Sequence, residues 1–232
     1  MFWVGLMDGN GNIQINHFRK KSLQYRLIIK LDYNELNYYM LIEIAKVIGG
    51  EVRIVNSNKE VIWTVDENKK IFNCVEIFEK YSPLTSRLIC QLNFLKVCLK
   101  DTSVNNYLLN RNLKYSSKSN LIKNFNKNNN FIIPDYFPIW LSGFIEAKGC
   151  FLIRENGNHS FSIKMNDDYY LLNIIKNFFS VSVKIKNPSK TFYLLEIYKK
   201  ETLNYIISHC KLYPLLGNKS KSLDIFIKNI SK

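Results

Sequence analysis

Two short stretches of the chain end in the same order of residue types: an acid, a small residue, a polar residue and a glycine. They are Asp8-Gly9-Asn10-Gly11 and Glu146-Ala147-Lys148-Gly149. Carboxylates are the side chains that hold Mg²⁺ in proteins, so Asp8 and Glu146 are candidates for metal chemistry. Asn10 and Lys148 offer an amide and an ammonium group instead.

The two endings belong to a longer internal repeat. Residues 2–11 align without a gap with residues 140–149, and Gly5 and Gly143 are 138 residues apart. In each copy the apolar residues run through two turns and stop at the acid, which predicts a short buried helix. Small residues four apart, Gly5 with Gly9 and Gly143 with Ala147, give each helix a narrow stripe on one face. We expect these stripes to pack against each other.

Both copies resemble the LAGLIDADG motif of homing endonucleases and intron maturases, in the form in which one chain carries two motifs. The resemblance implies an α+β fold of two pseudo-symmetric αββαββα halves, related by a pseudo-two-fold axis and joined by a linker. It also implies motif helices packed at the centre and antiparallel sheets that form a nucleic-acid-binding saddle. The protein would then be a monomer with an internal pseudo-dimer.

The sequence departs from the family pattern at the residue before each final glycine. Active members carry an acid there that holds a divalent cation over the scissile phosphate, whereas this chain has Asn10 and Lys148. An amide is a weak Mg²⁺ ligand and an ammonium group has no lone pair. We therefore expect no intact catalytic residue, no metal site and no cofactor, with Mg²⁺ relevant only to residual nuclease activity.

Asp8 and Glu146 are poor substitutes for the missing acids. They lie two residues earlier on each helix and so point about 200° away from the catalytic position. We interpret them as hydrogen-bonding groups at the helix ends, with a catalytic role as the alternative.

The net charge of +14 on 232 residues indicates a polyanionic partner. Nucleic acid is favoured over a membrane surface, because the basic residues are spread along strand-like segments. Five cysteines without C-x-x-C spacing predict buried free thiols, and three isolated histidines do not suggest a metal cluster. No apolar run is long enough to span a bilayer, and because the first motif begins at residue 2 we expect no signal peptide.

In the first half, alternating residues predict strands over 12–19, 23–31, 51–56 and 61–66 and helices over 34–48, 68–80 and up to residue 100. The outward faces are polar and basic, as expected of a surface that contacts bases and phosphates. A solvated face would look the same. In the second half we predict strands over 150–155, 160–166, 181–186 and 192–199, with helices over 168–179, 203–209 and at the C-terminal end. An Asn156-Gly157 turn joins the first two of these strands.

Two Tyr-Pro-Leu-type segments align Arg87 with Lys219, and the resemblance implies that basic residues here reach the centre. A helix-start residue in water is the equal alternative. The predicted nucleic-acid-binding set is Gln14, Asn16, Gln24, Arg26, Lys30, Arg53, Arg87, Lys148, Ser162, Lys164, Lys184, Lys186 and Lys219.

The predicted domains are a first LAGLIDADG half at 1–100, an Asn/Lys-rich linker at 101–138 and a second half at 139–232. The linker has too few apolar residues to fold as a domain, and its lysines could lie on a phosphate backbone.

The leading functional hypothesis is a cleavage-deficient nucleic-acid-binding protein that prefers RNA to DNA. It would act as an intron maturase or as a structural component of a ribonucleoprotein such as the mitochondrial ribosome, with other proteins as further partners. The alternative is a DNA-binding homing endonuclease with residual Mg²⁺-dependent cleavage. A composition rich in Asn, Lys, Ile, Tyr and Phe, together with the resemblance, indicates an organelle-encoded protein of the mitochondrion.

Overall fold

The computed structural model describes residues 1–127, 132–154 and 157–230. The chain divides into two compact units, one formed by Asn10–Leu121 and the other by Met1–Gly9 together with Ile122–Lys232. The first motif helix is thus grouped with the second repeat. The predicted domain boundaries follow the sequence repeat and stay a prediction.

The first repeat contains a helix, two strands, a helix, two strands and two further helices. Its elements are α1 (Phe2–Asn10), β1 (Gly11–Phe18), β2 (Ser22–Asp32), α2 (Glu35–Ile48), β3 (Glu51–Val55), β4 (Glu60–Val65), α3 (Asn68–Lys80) and α4 (Ser86–Lys100).

The second repeat has the same order of elements. It consists of α7 (Phe137–Lys148), β5 (Gly149–Ile153), β6 (His159–Asn166), α8 (Tyr169–Phe178), β7 (Lys186–Ser189), β8 (Phe192–Ile197), α9 (Lys200–Leu212) and α10 (Asn218–Ile230). Between the repeats lie α5 (Val104–Asn110), a 3₁₀ turn (Arg111–Leu113) and α6 (Lys118–Lys127).

Each repeat builds one four-stranded antiparallel sheet. The strand orders are β1-β2-β4-β3 and β5-β6-β8-β7, so the same topology occurs twice. The predicted fold class, α+β with two αββαββα repeats, is confirmed.

The alternation predicted for the first sheet is confirmed. Leu27 and Ile29 are fully buried, and their strand neighbours Arg26 and Lys30 are exposed. In an antiparallel pair, directly opposite residues share a face, so Ile13 opposite Leu27 extends the apolar face. Helices α2, α3 and α4 contact this sheet and cover its apolar face. The opposite face carries Arg26 and Lys30 together with the half-buried Ile28 and Ile62.

One predicted strand is wrong. The strand expected over residues 181–186 begins only at Lys186, and Lys184 lies in an irregular, exposed segment before it. The register between β7 and β8 shifts between Lys186 and Ser189, because Pro188 lacks the N–H that a regular ladder needs. In the predicted turn, Asn156 lies outside the described residues, while Gly157 has φ +78°.

Within the predicted linker, residues 104–113 and 118–127 are helical, which the Asn- and Lys-rich composition did not indicate. Val104 and Tyr107 of α5 are buried, and the Tyr107 hydroxyl donates to the Ile15 carbonyl at 2.8 Å. Since β1 is an edge strand, this bond satisfies a carbonyl that the sheet leaves unpaired. Two apolar anchors therefore hold the start of the segment. Over the described ranges, no helix has both the length and the apolar character required to cross a bilayer.

Candidate functional site

The small residues of the two motif helices, α1 and α7, meet at close range. A Cβ added to Gly5 would lie 1.9 Å from the Trp140 carbonyl oxygen, and one added to Gly143 would lie 1.9 Å from the Phe2 carbonyl oxygen. These distances are far below van der Waals contact, so the backbones touch where both helices have glycine. The two contacts are reciprocal, as the sequence repeat requires.

The second pair of small residues lies one turn further along each helix. A Cβ on Gly9 would lie 2.1 Å from the Ala147 Cβ. The four predicted packing residues thus form one continuous contact between α1 and α7. This contact fixes the helix ends from which the polar motif residues project.

Asp8 is buried and serves as an acceptor within this helix pair. Its side chain is 2% exposed, and its Oδ2 accepts a hydrogen bond of 2.7 Å from the Trp140 Nε1. This hydrogen bond compensates part of the cost of burying a polar side chain.

Glu146 caps the start of α10. Its Oε2 accepts from the backbone N–H groups of Leu216 at 3.1 Å and Gly217 at 3.0 Å, and its Oε1 accepts from the Lys219 N–H at 3.0 Å. Burial raises the pKa of this carboxyl, and the three N–H donors oppose that shift. Glu146 therefore acts as a hydrogen-bonding group at the start of α10, and not at the end of its own helix.

The positions of the family's metal-binding acids carry no anionic oxygen. Asn10 is half-buried at the end of α1, and Lys148 is exposed at the end of α7. An amide and an ammonium group do not fit a divalent cation, and the nearby Asp8 and Glu146 oxygens already accept hydrogen bonds. The residues present do not fit the metal that the family implies.

The two basic residues aligned by the repeat lie next to the motif ends. Arg87 Nη1 donates to the Gly11 carbonyl at 2.6 Å, so it contacts the residue that follows Asn10. It also lies 3.4 Å from Gln91 Oε1, and Gln91 in turn accepts from the Ile13 N–H at 3.0 Å. Lys219 is half-buried, and its backbone binds Glu146. Arg87 is therefore tied to the protein backbone.

The outward face of the first sheet carries six of the thirteen predicted binding residues. Strand pairing places Gln14 opposite Arg26 and Asn16 opposite Gln24. Lys30 lies opposite Ile62, and Ile62 lies opposite Arg53 on the next strand. We define the first polar face as Gln14, Asn16, Gln24, Arg26, Lys30 and Arg53. Amides and cations alternate on it.

Acids on the same side accompany the three cations of the first polar face. Arg26 lies 3.3 Å from Asp66, Lys30 lies 2.6 Å from Glu60, and Arg53 pairs with Glu51. Exposed pairs of this kind contribute at most about 1 kcal/mol each, so a phosphate can compete for these cations.

The second polar face is formed by β6, β8 and β7. Ser162 lies opposite Glu196, and Lys164 and Lys186 both lie opposite Leu194. Three predicted residues, Ser162, Lys164 and Lys186, thus share one face. Lys184 precedes β7 and lies outside the sheet.

Three residues of the second polar face were not predicted. Glu196 Oε2 accepts from Lys186 Nζ at 2.8 Å and Glu196 Oε1 accepts from Arg154 Nη2 at 3.2 Å, while Arg154 also donates to the Tyr198 hydroxyl at 3.0 Å. Hydrogen bonding from Lys186, then from Tyr198, lowers the pKa of the Glu196 carboxyl. Alternation along β8 was the signal available in the sequence, because it puts Leu194, Glu196 and Tyr198 on one side.

The cysteines are free thiols, as expected. Cys74, Cys90, Cys98 and Cys210 are buried, and burial raises the pKa of Cys74 and of Cys210 to about 12. Cys150 is the exception, since it is exposed on β5, and for it the expectation of burial was wrong. In the described ranges, no group of three or more His, Cys, Asp or Glu side chains is placed to hold a metal ion.

Comparison with known proteins gives matches to both repeats. The family model described as LAGLIDADG endonuclease matches residues 3–98 and 141–230. A protein of Debaryomyces hansenii named probable intron-encoded endonuclease aI3 is 48% identical over 257 residues, covering 98% of this chain and 37% of its own length. A protein of the same name from Dictyostelium citrinum is 44% identical over 231 residues, covering 97% of this chain and 92% of its own length.

The chain thus spans little more than a third of the first relative and nearly all of the second. Among solved structures, the LAGLIDADG meganuclease I-AabMI bound to uncleaved DNA has a TM-score of 0.75 at 21% identity, covering 99% of this chain and 89% of the other. I-CpaMI bound to uncleaved DNA has a TM-score of 0.76 at 18% identity, covering 98% and 89%. At this identity the similarity is one of fold.

Proposed function

Because the chain belongs to the LAGLIDADG endonuclease family, we propose that it binds nucleic acid along its two polar faces and holds it without cutting it. The proposal depends mainly on which side chains stand at the ends of the two motifs and on what those side chains contact. Asn10 and Lys148 stand at the acid positions, while Asp8 and Glu146 are engaged by Trp140 and by the start of α10.

Charge supports binding. The net charge is +14, and each polar face presents Lys or Arg side chains beside neutral hydrogen-bonding groups. Cations displace the counterions of a phosphate backbone, and amides and hydroxyls can bond to base edges. Solved relatives in fold were bound to DNA, which agrees with a nucleic-acid partner here.

The absence of the two acids supports binding of nucleic acid without cleavage. Phosphodiester cleavage by metal ions needs anionic ligands that gather the cations around the phosphate. Replacing these ligands by an amide and an ammonium group removes that function and also removes repulsion against the phosphate backbone. Lys148 neutralises a phosphate in this scheme, with no metal or cofactor involved.

We favour RNA as the ligand. The similar proteins are named intron-encoded endonucleases, and a protein encoded in an intron is translated from a transcript that contains that intron. A scaffold that holds without cutting suits a role in folding intron RNA, as maturases do, or a structural role in a ribonucleoprotein. The organelle in this scheme is the mitochondrion.

Parallel binding and cleavage assays test the proposal. The full chain is titrated against RNA of the host intron and against DNA spanning the intron-free insertion site, with Mg²⁺ or Mn²⁺ present. We expect binding to the RNA with at least tenfold preference and no nicked DNA. Site-specific nicking would overturn the proposal in favour of an endonuclease with residual activity.

Restoring the acids provides the matched control. In the Asn10→Asp, Lys148→Asp double variant, calorimetry should detect Mg²⁺ uptake that the parent chain lacks. If the parent chain took up as much Mg²⁺ as the double variant, the parent would already have a metal site.

A further inference from the structure

The helical side of the second repeat contains a cavity that is separate from the polar face. It has a volume of about 470 Å³ and lies where α8 and α9 end, beside Pro138 at the start of α7. Helices α8 and α9 contact β6 and β8 on the buried side of the sheet, opposite Ser162 and Lys164. A ligand in this cavity would therefore leave the second polar face open.

Aromatic rings line the cavity. The His209 ring centroid lies 5.5 Å from those of Phe178 and Phe179, and 5.2 Å from that of Tyr213. At the rim, Tyr205 is 66% exposed and Leu212 is 71% exposed. Small-molecule sites are typically cavities of about 300–1,000 Å³ lined by aromatic and apolar side chains, and this cavity has both properties.

The hydrogen bonds of Ser142 define the tautomer of His209. The Ser142 hydroxyl donates its single proton to the Tyr213 carbonyl at 2.7 Å. Its contact of 3.3 Å with His209 Nε2 must then use a proton carried by Nε2. Burial lowers the pKa of His209 to about 4, so the ring is neutral at pH 7. Nδ1 therefore carries a lone pair that can accept a hydrogen bond.

The surroundings of the cavity favour a polyanionic chain at its mouth. Lys176 and Lys211 lie in the last turns of α8 and α9, the two helix ends that form the cavity. Lys211 follows the lining residue Ser208 by three positions and so lies on the same side of α9. None of the described residues that line the cavity is acidic.

We propose that this cavity takes one unstacked base of a single-stranded RNA segment, a base with an exocyclic amino group such as adenine. The base stacks on the aromatic side chains, its amino group donates to His209 Nδ1, and the flanking phosphates lie near Lys176 and Lys211. The inference rests on the proposed function and adds a second contact site on the helical side.

Fluorescence anisotropy with ribo-oligonucleotides tests the site. The full chain is titrated with labelled single-stranded decamers of adenosine and of uridine, and with the duplex DNA of the insertion site. Because Ser208 lies at the cavity and is exposed, Ser208→Trp fills the opening. We expect it to weaken binding of the adenosine decamer at least tenfold and to leave duplex binding unchanged. Tyr205→Ala should weaken the decamer about fivefold or more, the range of one lost stacking contact.

Tyr39→Ala is the matched control, since Tyr39 is 61% exposed on α2, far in sequence from the cavity. It should leave decamer affinity unchanged. Unchanged decamer affinity in Ser208→Trp, with duplex or intron RNA still bound, would overturn the base site and leave the proposed function intact. If the parent chain bound no nucleic acid, the proposed function would fail first. A parent dimer dispersed by Ser208→Trp in light scattering would identify a second copy of the chain as the occupant and would overturn the inference.

Discussion

The Trp140 indole Nε1 donates to the Asp8 carboxylate at 2.7 Å, so the motif helix of one repeat binds the acid of the other. Trp140 is fully buried and Asp8 is 2% exposed. A motif acid thus serves the pairing of α1 with α7.

Replacing Trp140 by Phe should destabilise the protein by about 2–3 kcal/mol, because it removes the Nε1 donor from a buried Asp8 oxygen. Chemical denaturation provides the measurement. Trp63→Phe is the control, since Trp63 is also fully buried but donates to a neutral carbonyl, that of Gly49, at 2.9 Å. An equal or larger loss in the control would contradict a special contribution of the Trp140–Asp8 bond.

Gly5→Ala should prevent folding or cost more than about 3 kcal/mol, because the new methyl group would lie 1.9 Å from the Trp140 carbonyl oxygen. In an exposed helix the same change stabilises the protein by about 1 kcal/mol. A loss of stability here would therefore come from the packing of α1 against α7. Thermal unfolding by circular dichroism measures it. Gly157→Ala is the control, since open space surrounds Gly157 and only its φ of +78° opposes the change. A Gly5→Ala protein as stable as that control would show that α1 and α7 are not in contact.

The glycine pairs could be predicted because their information is local and repeated. Small residues recur four apart in both copies, and only a close backbone approach explains two such stripes. Sheet alternation was predictable for a similar reason. Along β2, the apolar Leu27 and Ile29 lie on one side and Arg26 and Lys30 on the other. A repeat of two residues is typical of a strand, whose successive side chains point to opposite faces of the sheet.

Other features depend on contacts that a single sequence does not show. All four residues of β7 are exposed, so no apolar alternation marked where that strand begins. Alternation along β8 indicated the side of the sheet on which Glu196 lies, but its role comes from Arg154, which follows β5, and from Lys186 on β7. Val104 and Tyr107 are the buried residues of α5, and the Asn- and Lys-rich composition around them did not indicate their burial.

Glu146→Gln should lower stability by about 2–3 kcal/mol. The amide keeps one acceptor oxygen, but its NH₂ group faces a backbone N–H of the α10 start and leaves at least one donor unsatisfied. Urea denaturation measures the change. The control is Glu201→Gln, which alters an exposed glutamate paired with Lys199 and should change stability by less than about 0.5 kcal/mol. If the two variants were equally stable, Glu146 would not be a cap.

Stability should fall as the pH decreases from about 6.5 towards 4. Burial lowers the pKa of His209 from 6.5 to about 4, so the folded protein keeps the ring neutral while the unfolded chain binds a proton. The contribution of His209 is complete above pH 6.5 and is lost on acidification, by at most about 3 kcal/mol. Denaturation at several pH values should show this loss in the parent chain and a smaller one in His209→Phe. If the stability of the two proteins changed with pH in the same way, the loss could not be assigned to His209.

Lys148→Glu should weaken nucleic-acid binding about tenfold or more at low salt. The change reverses a charge that is exposed at the end of α7, at a position where the proposal places a phosphate. Loss of one phosphate contact should also reduce the slope of log affinity against log salt concentration by about one. Filter binding at several salt concentrations measures both effects. Lys46→Glu is the control, because Lys46 is exposed on α2, a helix that covers the apolar side of its sheet, and pairs there with Glu43. If the two charge reversals weakened binding equally, the effect would come from net charge, and Lys148 would have no specific contact.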